Sequence, residues 1–278
     1  MSKIGIAFGA GGARGLAHIK VYEALEELGI TPHAISGTSI GAIIGSAFAA
    51  GKDSKEVLEA VDDLIFSKNV KFWEFHKKND WFKILELVDP SINAGGIIKG
   101  EKFASYFAEF IGYKTFEELP IKNKVVATNY WSKDPVIFES GPLLNPVRAS
   151  YSLPGLFTPV ELNKLLLVDG GMVNPLPFDL LQSECDIVIA VDVSAKNPNG
   201  NGNGSLPSAA DVLFSTFQIM QNSIINEKLI NSQPDILIKA DTPDIRMLEF
   251  NKVKQILDSS NKYKEELKNK LDRLISAG

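Results

Sequence analysis

The sequence predicts an α/β fold: three layers, α/β/α, around a mainly parallel central sheet. Three observations point there. Short, charge-free strand candidates alternate with stretches of helical periodicity through most of the chain. Two strand-to-helix turns are built on glycine, at Ala10-Gly11-Gly12-Ala13-Arg14-Gly15 and at Gly37-Thr38-Ser39-Ile40-Gly41. Residues 186–193 (DIVIAVDV) form a nearly continuous apolar run, as a strand covered on both faces requires.

Met1-Ser2-Lys3 leads straight into Ile4-Gly5-Ile6-Ala7-Phe8, which is too short for the apolar region of a signal peptide and reads as the first strand. The glycine loop follows, then a helix over 16–28 with Ile19, Val21, Tyr22, Leu25 and Leu28 on its apolar stripe. Gly29 and Pro32 end it. Ala34-Ile35-Ser36 is the second strand, and 42–50 is an Ala-rich helix. The uncharged run 34–51 approaches membrane-spanning length. Its glycines, serines and the break at Ser39 favour a buried strand plus a buried helix.

Residues 54–65 carry a helical stripe of Val57, Leu58, Val61, Leu64 and Ile65. From Phe66 to Lys83, aromatics interleave with Lys68, Lys71, Lys77, Lys78 and Lys83, a pattern expected of a lid or membrane-facing surface, or of core packing beneath a charged face. Residues 52–100 are therefore read as a lid-like helical insertion within one domain spanning 1–278. A helix is expected over 101–111, then a hairpin-like pair at 125–131 and 136–138, and a helix over 142–151. The strand at 162–169 has a possible turn at Asn163-Lys164 and ends in Asp169-Gly170-Gly171. After the 186–193 strand, Asn/Gly-rich 197–205 reads as a mobile surface loop. A long helix at 209–229, a strand at 235–239, and an amphipathic helix pair or one bent helix over 246–275 complete the chain.

Composition bounds the function classes. The chain has 278 residues, 45% of them hydrophobic, as in an ordinary globular protein. Its net charge of −5 argues against nucleic acid as a partner. The single Cys185 excludes an intramolecular disulfide and suits a reducing, cytoplasmic setting, with peripheral contact at a membrane surface.

The chemistry centres on Ser39. Strand, sharp turn and helix are the context of a nucleophile elbow, and the helix N-terminus favours developing negative charge at the serine. The alternative is an N-cap serine among packing glycines. The loop 10–15 fits neither G-x-G-x-x-G nor a Walker A pattern. Its remaining jobs are a tight structural turn or the presentation of backbone N–H groups to an oxyanion. A serine nucleophile needs a base. His18, His33 and His76 all precede the late strands, where a hydrolase histidine belongs. Carboxylates stand there instead, Asp169 and Asp192. Asp169, on a glycine turn at a strand's C-terminal end, makes a Ser39–Asp169 dyad the leading arrangement, against a simple D-G-G turn. No His/Cys/carboxylate spacing suggests a metal, and no cofactor is expected.

These blocks resemble the bacterial patatin-like phospholipases, a family of Ser-Asp acyl hydrolases. The family's G-G-G-x-R/K-G is matched by 10–15, with Ala10 in place of the first glycine; its G-x-S-x-G by 37–41; its D-G-G/A by 169–171. Residues 148–157 are also similar to the segment before the family's aspartate strand, and the likeness runs from about Lys3 to at least Asp192. The resemblance implies a patatin-like fold and cleavage of lipid acyl esters. It implies a Ser39 acyl-enzyme with Asp169 as base, and an oxyanion hole from the loop residues Gly11, Gly12, Ala13 and Arg14. Ala10 is tolerable if its φ is negative. Arg14 is expected to anchor the loop rather than meet a head group. Two other functions remain open: an acyltransferase of the malonyl-transferase type, which needs a histidine, and a non-catalytic lipid-binding module.

Overall fold

The computed structural model describes residues 2–66, 100–194, 209–242 and 245–276. The strands are β1 (Ile4–Phe8), β2 (Ala34–Thr38), β3 (Lys122–Asn129), β4 (Pro135–Phe138), β5 (Val160–Leu162), β6 (Leu165–Asp169), β7 (Ile187–Asp192) and β8 (Ile236–Lys239). The α-helices are α1 (Ala17–Glu27), α2 (Ile40–Ala49), α3 (Ser54–Phe66), α4 (Glu101–Ile111), α5 (Leu144–Ser150), α6 (Ala209–Asn231) and α7 (Val253–Ser276). The lid-like segment is described only at its two ends, and the aromatic–lysine stretch beyond Phe66 and the loop 197–205 lie outside the described residues.

The sheet runs β5-β6-β3-β2-β1-β7-β8, with β4 also paired to β3. The strands β3-β2-β1-β7-β8 are mutually parallel, while β4, β5 and β6 add antiparallel pairings at one end. Side chains on the central strands alternate by size. Ile6, Phe8, Ile35, Ile189 and Val191 face the large core formed with α1, α2 and α7. Ala7, Ala34 and Ala190 face a second core with Phe178 and Ile225 of α6. Two buried faces make the three layers.

Several elements differ from expectation in their bounds. The glycine loop runs through a 3-10 turn, Gly12–Leu16, before α1 begins. Strand β2 continues to Thr38, so α2 starts directly after Ser39. The C-terminal stretch is one helix, α7, preceded by a 3-10 turn at Phe250–Lys252, rather than a helix pair. Its buried Val253, Ile256, Tyr263, Leu267 and Leu271 form one stripe against the core. On its flank, Lys264 and Lys268 clasp Glu27 of α1 at 2.7 and 2.8 Å. Asn163 and Lys164 form the two-residue turn between β5 and β6, both at positive φ (52° and 65°), as a tight hairpin needs. No helix among the described residues is long and apolar enough to cross a membrane.

One feature of β3 positions the site. Residues 122–126 pair with β2, 127–129 with β6, and 125–128 with β4. Because β4 overlaps both others, β2 and β6 must share the opposite edge, end to end. Antiparallel β6 thus runs head-on toward the end of β2. Thr38 pairs with Val126 and Asp169 with Ala127, next-door positions on β3.

Candidate active site

Ser39 occupies the corner between β2 and α2 with φ 57° and ψ −123°, a conformation L residues rarely adopt. The corner closes because Gly37 and Gly41 have no side chains: a Cβ on Gly41 would strike the Phe8 carbonyl oxygen, and one on Gly37 would strike Gly41. The Ser39 N–H donates to Ser150 Oγ at 2.9 Å, and the Ser39 carbonyl accepts from Ala42 and Ile43 in the first turn of α2. The strained corner is therefore tied on both sides.

Asp169 sits at the end of β6, 2% exposed. Its backbone is fixed by two bonds: its N–H donates to Ser152 O (3.0 Å), and its carbonyl accepts from Thr128 Oγ1 (2.8 Å). Its carboxylate accepts from Gly171 N–H through Oδ1 (2.7 Å) and from Ser39 Oγ through Oδ2 (2.7 Å). Burial pushes the Asp169 carboxyl up to about 6, against the opposing pull of the Ser39 and Gly171 hydrogen bonds. It remains mostly ionised at neutral pH yet is a stronger base than a solvated carboxylate.

The glycine loop borders the same space. Gly9 N–H donates to Val191 O, Ala10 N–H to Pro175 O, and Ala13 N–H to Met247 O at 2.7 Å. The Gly11 and Gly12 N–H groups bond to no described group, and both residues line the cavity at Ser39. Gly12 has φ +60°, and a Cβ there would collide with the Met247 carbonyl. The four loop residues expected at an oxyanion hole thus divide. Gly11 and Gly12 line the cavity with their N–H groups unpaired among the described residues. Ala13 does not, because Met247 has taken its donor. Arg14 is 4% exposed and does not line the cavity; its Nε reaches Gly11 O at 3.4 Å. Burial lowers the Arg14 guanidinium to about 10, while Asp192 and Asp241 pull it back up, so it stays cationic and braces the loop. Ala10 is not among the described non-glycine residues at positive φ, which removes the objection to an alanine there.

The other candidates lie elsewhere. Asp192 Oδ1 accepts from Ser194 N–H and Ser194 Oγ, not from Ser39. His18 Nε2 bonds Gly9 O at 2.8 Å, and full burial lowers the ring to about 4, so it is neutral at physiological pH and supports the loop. His33 lies before β2, at the end away from Ser39, and His76 falls outside the described residues. Among the described residues no three His, Cys, Asp or Glu side chains cluster as a metal site.

Beyond Ser39 and Asp169 the described walls of the cavity are mainly apolar, with Tyr106, Tyr151 and Gln221 the polar side chains among them. Its walls include Ile43 and Ala47 of α2, Val57 and Val61 of α3, and Phe103 and Phe107 of α4, with Leu153, Met247 and Leu248 on another side. Ser150, Ser152, Thr128 and Gln221 complete the surroundings of the dyad, and sequence reasoning assigned none of them a role. The one available signal was the similarity of 148–157, which holds Ser150 and Ser152. Chemically, the site holds a serine hydroxyl bonded to a buried carboxylate, two unpaired backbone N–H groups and a mainly apolar pocket.

A sequence model of the family described as patatin-like phospholipase matches residues 6–181. An NTE family protein of Mycobacterium tuberculosis is 37% identical over 193 residues, 69% of this chain and 49% of the relative. The lysophospholipase NTE1 of Debaryomyces hansenii is 33% identical over 193 residues, 69% of this chain but 12% of the relative. The chain thus spans about half the length, or less, of these curated relatives. Among solved structures, VipD from Legionella pneumophila matches with a TM-score of 0.50 at 15% identity, over 95% of this chain and 67% of that one, a likeness of fold.

Proposed function

Since the chain belongs to the patatin-like phospholipase family, we propose that it is a serine acyl hydrolase that cleaves lipid acyl esters, of the phospholipase A, lysophospholipase or carboxylesterase type. The observation that carries this reading is the 2.7 Å hydrogen bond from Ser39 Oγ to Asp169 Oδ2, beside two unpartnered backbone donors and an apolar cavity.

Ser39 Oγ attacks the ester carbonyl carbon while its proton passes to Asp169. The carbonyl oxygen becomes an oxyanion held by the Gly11 and Gly12 N–H groups; losing one such donor typically costs about 3 kcal/mol. Helix α2 begins at the serine, and its dipole favours the same negative charge. Collapse expels the alcohol, which takes the proton from Asp169, and leaves an acyl ester on Ser39. Water hydrolyses that ester with Asp169 again as base. The acyl chain lies along the apolar walls of α2, α3 and α4, where burial favours it by about 0.8 kcal/mol per methylene. Contact with a membrane surface belongs to this reading, because the substrates reside there.

The test is release of free fatty acid from a lysophospholipid by the wild type and by Ser39→Ala. Wild-type turnover with a loss to background in Ser39→Ala, at unchanged circular dichroism, is the expected result. Retention of more than a few per cent of the rate removes Ser39 from the reaction.

A further inference from the structure

One polar side chain on the cavity wall is left without a task by this chemistry. Gln221, on α6, is 4% exposed and lines the cavity among apolar neighbours. The two tyrosines that line it are engaged, Tyr106 OH donating to Ala60 O and Tyr151 OH to Gly100 O. Gln221 is not: its Oε1 is buried with no hydrogen-bond partner among the described residues. Its Nε2 stands 2.3 Å from the point that a Cβ on Gly171 would occupy, and Asp169 Oδ1 lies 3.0 Å from that same point, so the two atoms are no more than about 5 Å apart. The amide is thus beside the catalytic carboxylate, and no hydrogen bond joins the two. A buried amide oxygen without a partner destabilises the fold. Leucine or methionine would fill the volume without that cost. A polar group kept in a dry pocket at the expense of stability marks a function.

Resting on the acyl-hydrolase reading, we propose that Gln221 is the positioning residue for the water that deacylates Ser39. An amide donor and a carboxylate acceptor within about 5 Å of each other, with no direct hydrogen bond between them, can share one bridging water. That water accepts from Gln221 Nε2 and donates to Asp169. Its lone pair forms a bond to the acyl carbon, and its proton passes to Asp169. The Gly11 and Gly12 N–H groups hold the resulting oxyanion. On collapse the bond from carbon to Ser39 Oγ breaks, Asp169 returns the proton to Oγ, and the carboxylic acid leaves. A water needs two or more polar partners to be held. Among the described residues the rest of the wall is apolar or, like the two tyrosine hydroxyls, already engaged, so loss of Gln221 strikes deacylation and spares acylation.

The experiment follows a p-nitrophenyl ester from the first turnover in the wild type, Gln221→Leu and Gln221→Met. The variants should release the first equivalent of p-nitrophenol at the wild-type rate, then turn over about 10- to 100-fold more slowly, the range expected when a reactant is misplaced. Intact mass should show the acyl group accumulating on Ser39, and hydroxylamine, which needs no held water, should restore turnover. Tm should equal or exceed the wild-type value. A burst and steady state that fall together, or a steady state that does not change, overturns the role of Gln221 and leaves the hydrolase reading standing. If one variant fails to fold, the other decides. A wild type that releases no p-nitrophenol sinks the hydrolase reading, and this role with it.

Discussion

Replacing Asp169 by Asn separates the residue's charge from its shape. The amide keeps an oxygen for the Gly171 N–H and a nitrogen facing Ser39 Oγ, and an Asn suits a turn of this kind. What is lost is the negative charge. The Asp169 carboxyl is held at about 6 instead of 3.8, so the folded state binds its proton more tightly than the unfolded state does. Its contribution to stability is therefore complete below about pH 4 and is lost as pH rises through about 6. At neutral pH the ionised, buried group costs about 3 kcal/mol, from a difference of about two pKa units at 1.36 kcal/mol each. A neutral amide in its place carries no such cost. Allowing for an imperfect fit of the amide, Asp169→Asn should be more stable than the wild type by about 1–3 kcal/mol near pH 7, or about 2–5 °C in Tm. The gap should close toward pH 4. Over the same comparison, kcat should fall by about 10²–10⁴, the loss typical of a missing general base. Thermal unfolding at both pH values and initial rates with a soluble ester measure the two effects. A variant that keeps its rate removes Asp169 as the base. A variant less stable than the wild type at both pH values refutes the claim that burial holds the carboxyl up.

Three further outcomes are expected. His18→Ala should lose about 2–4 kcal/mol, because it empties a fully buried site against Phe8; the acid limb of its pH–rate profile should not move, and a shift would implicate the histidine in catalysis. Gly41→Ala should cost about 3 kcal/mol in urea unfolding, since its Cβ meets the Phe8 carbonyl, a backbone group with no room to yield; a neutral result would mean the elbow is looser than described. Hydrolysis should proceed unchanged in a chelator, because Ser39 and Asp169 supply both nucleophile and base, and a calcium-reversible loss would contradict this.

How much of this was legible beforehand depends on how local the cause is. The elbow was readable because Gly37, Ser39 and Gly41 are adjacent and their crowding is set by the turn itself. Asp169 was readable in kind, as a carboxylate on a glycine turn after a strand. The glycine turn set it ahead of Asp192, and the sheet adds the reason, because the shared edge of β3 brings the end of β6 against the end of β2. The oxyanion loop was readable as a loop but not donor by donor. Ala13 is lost to it through a carbonyl at Met247, far along the chain. Gln221 was invisible because it lies in a helix whose residues are apolar on several sides, with Val212, Ile219 and Met220 exposed. Nothing in the pattern of that helix marks one polar residue as facing a cavity. Ser150 and Ser152 were inside a similar segment without a role, since hydrogen bonds to Ser39 and Asp169 leave no trace in spacing.

The most direct measurement is the pH dependence of fluorophosphonate labelling, with the adduct mapped by mass spectrometry. The account predicts a single adduct on Ser39. Its rate should rise with pH through one ionisation near 6, the value at which burial holds Asp169, and should collapse in Asp169→Asn. An adduct on another residue, or a Ser39 rate whose pH dependence survives Asp169→Asn, contradicts the Ser39–Asp169 dyad.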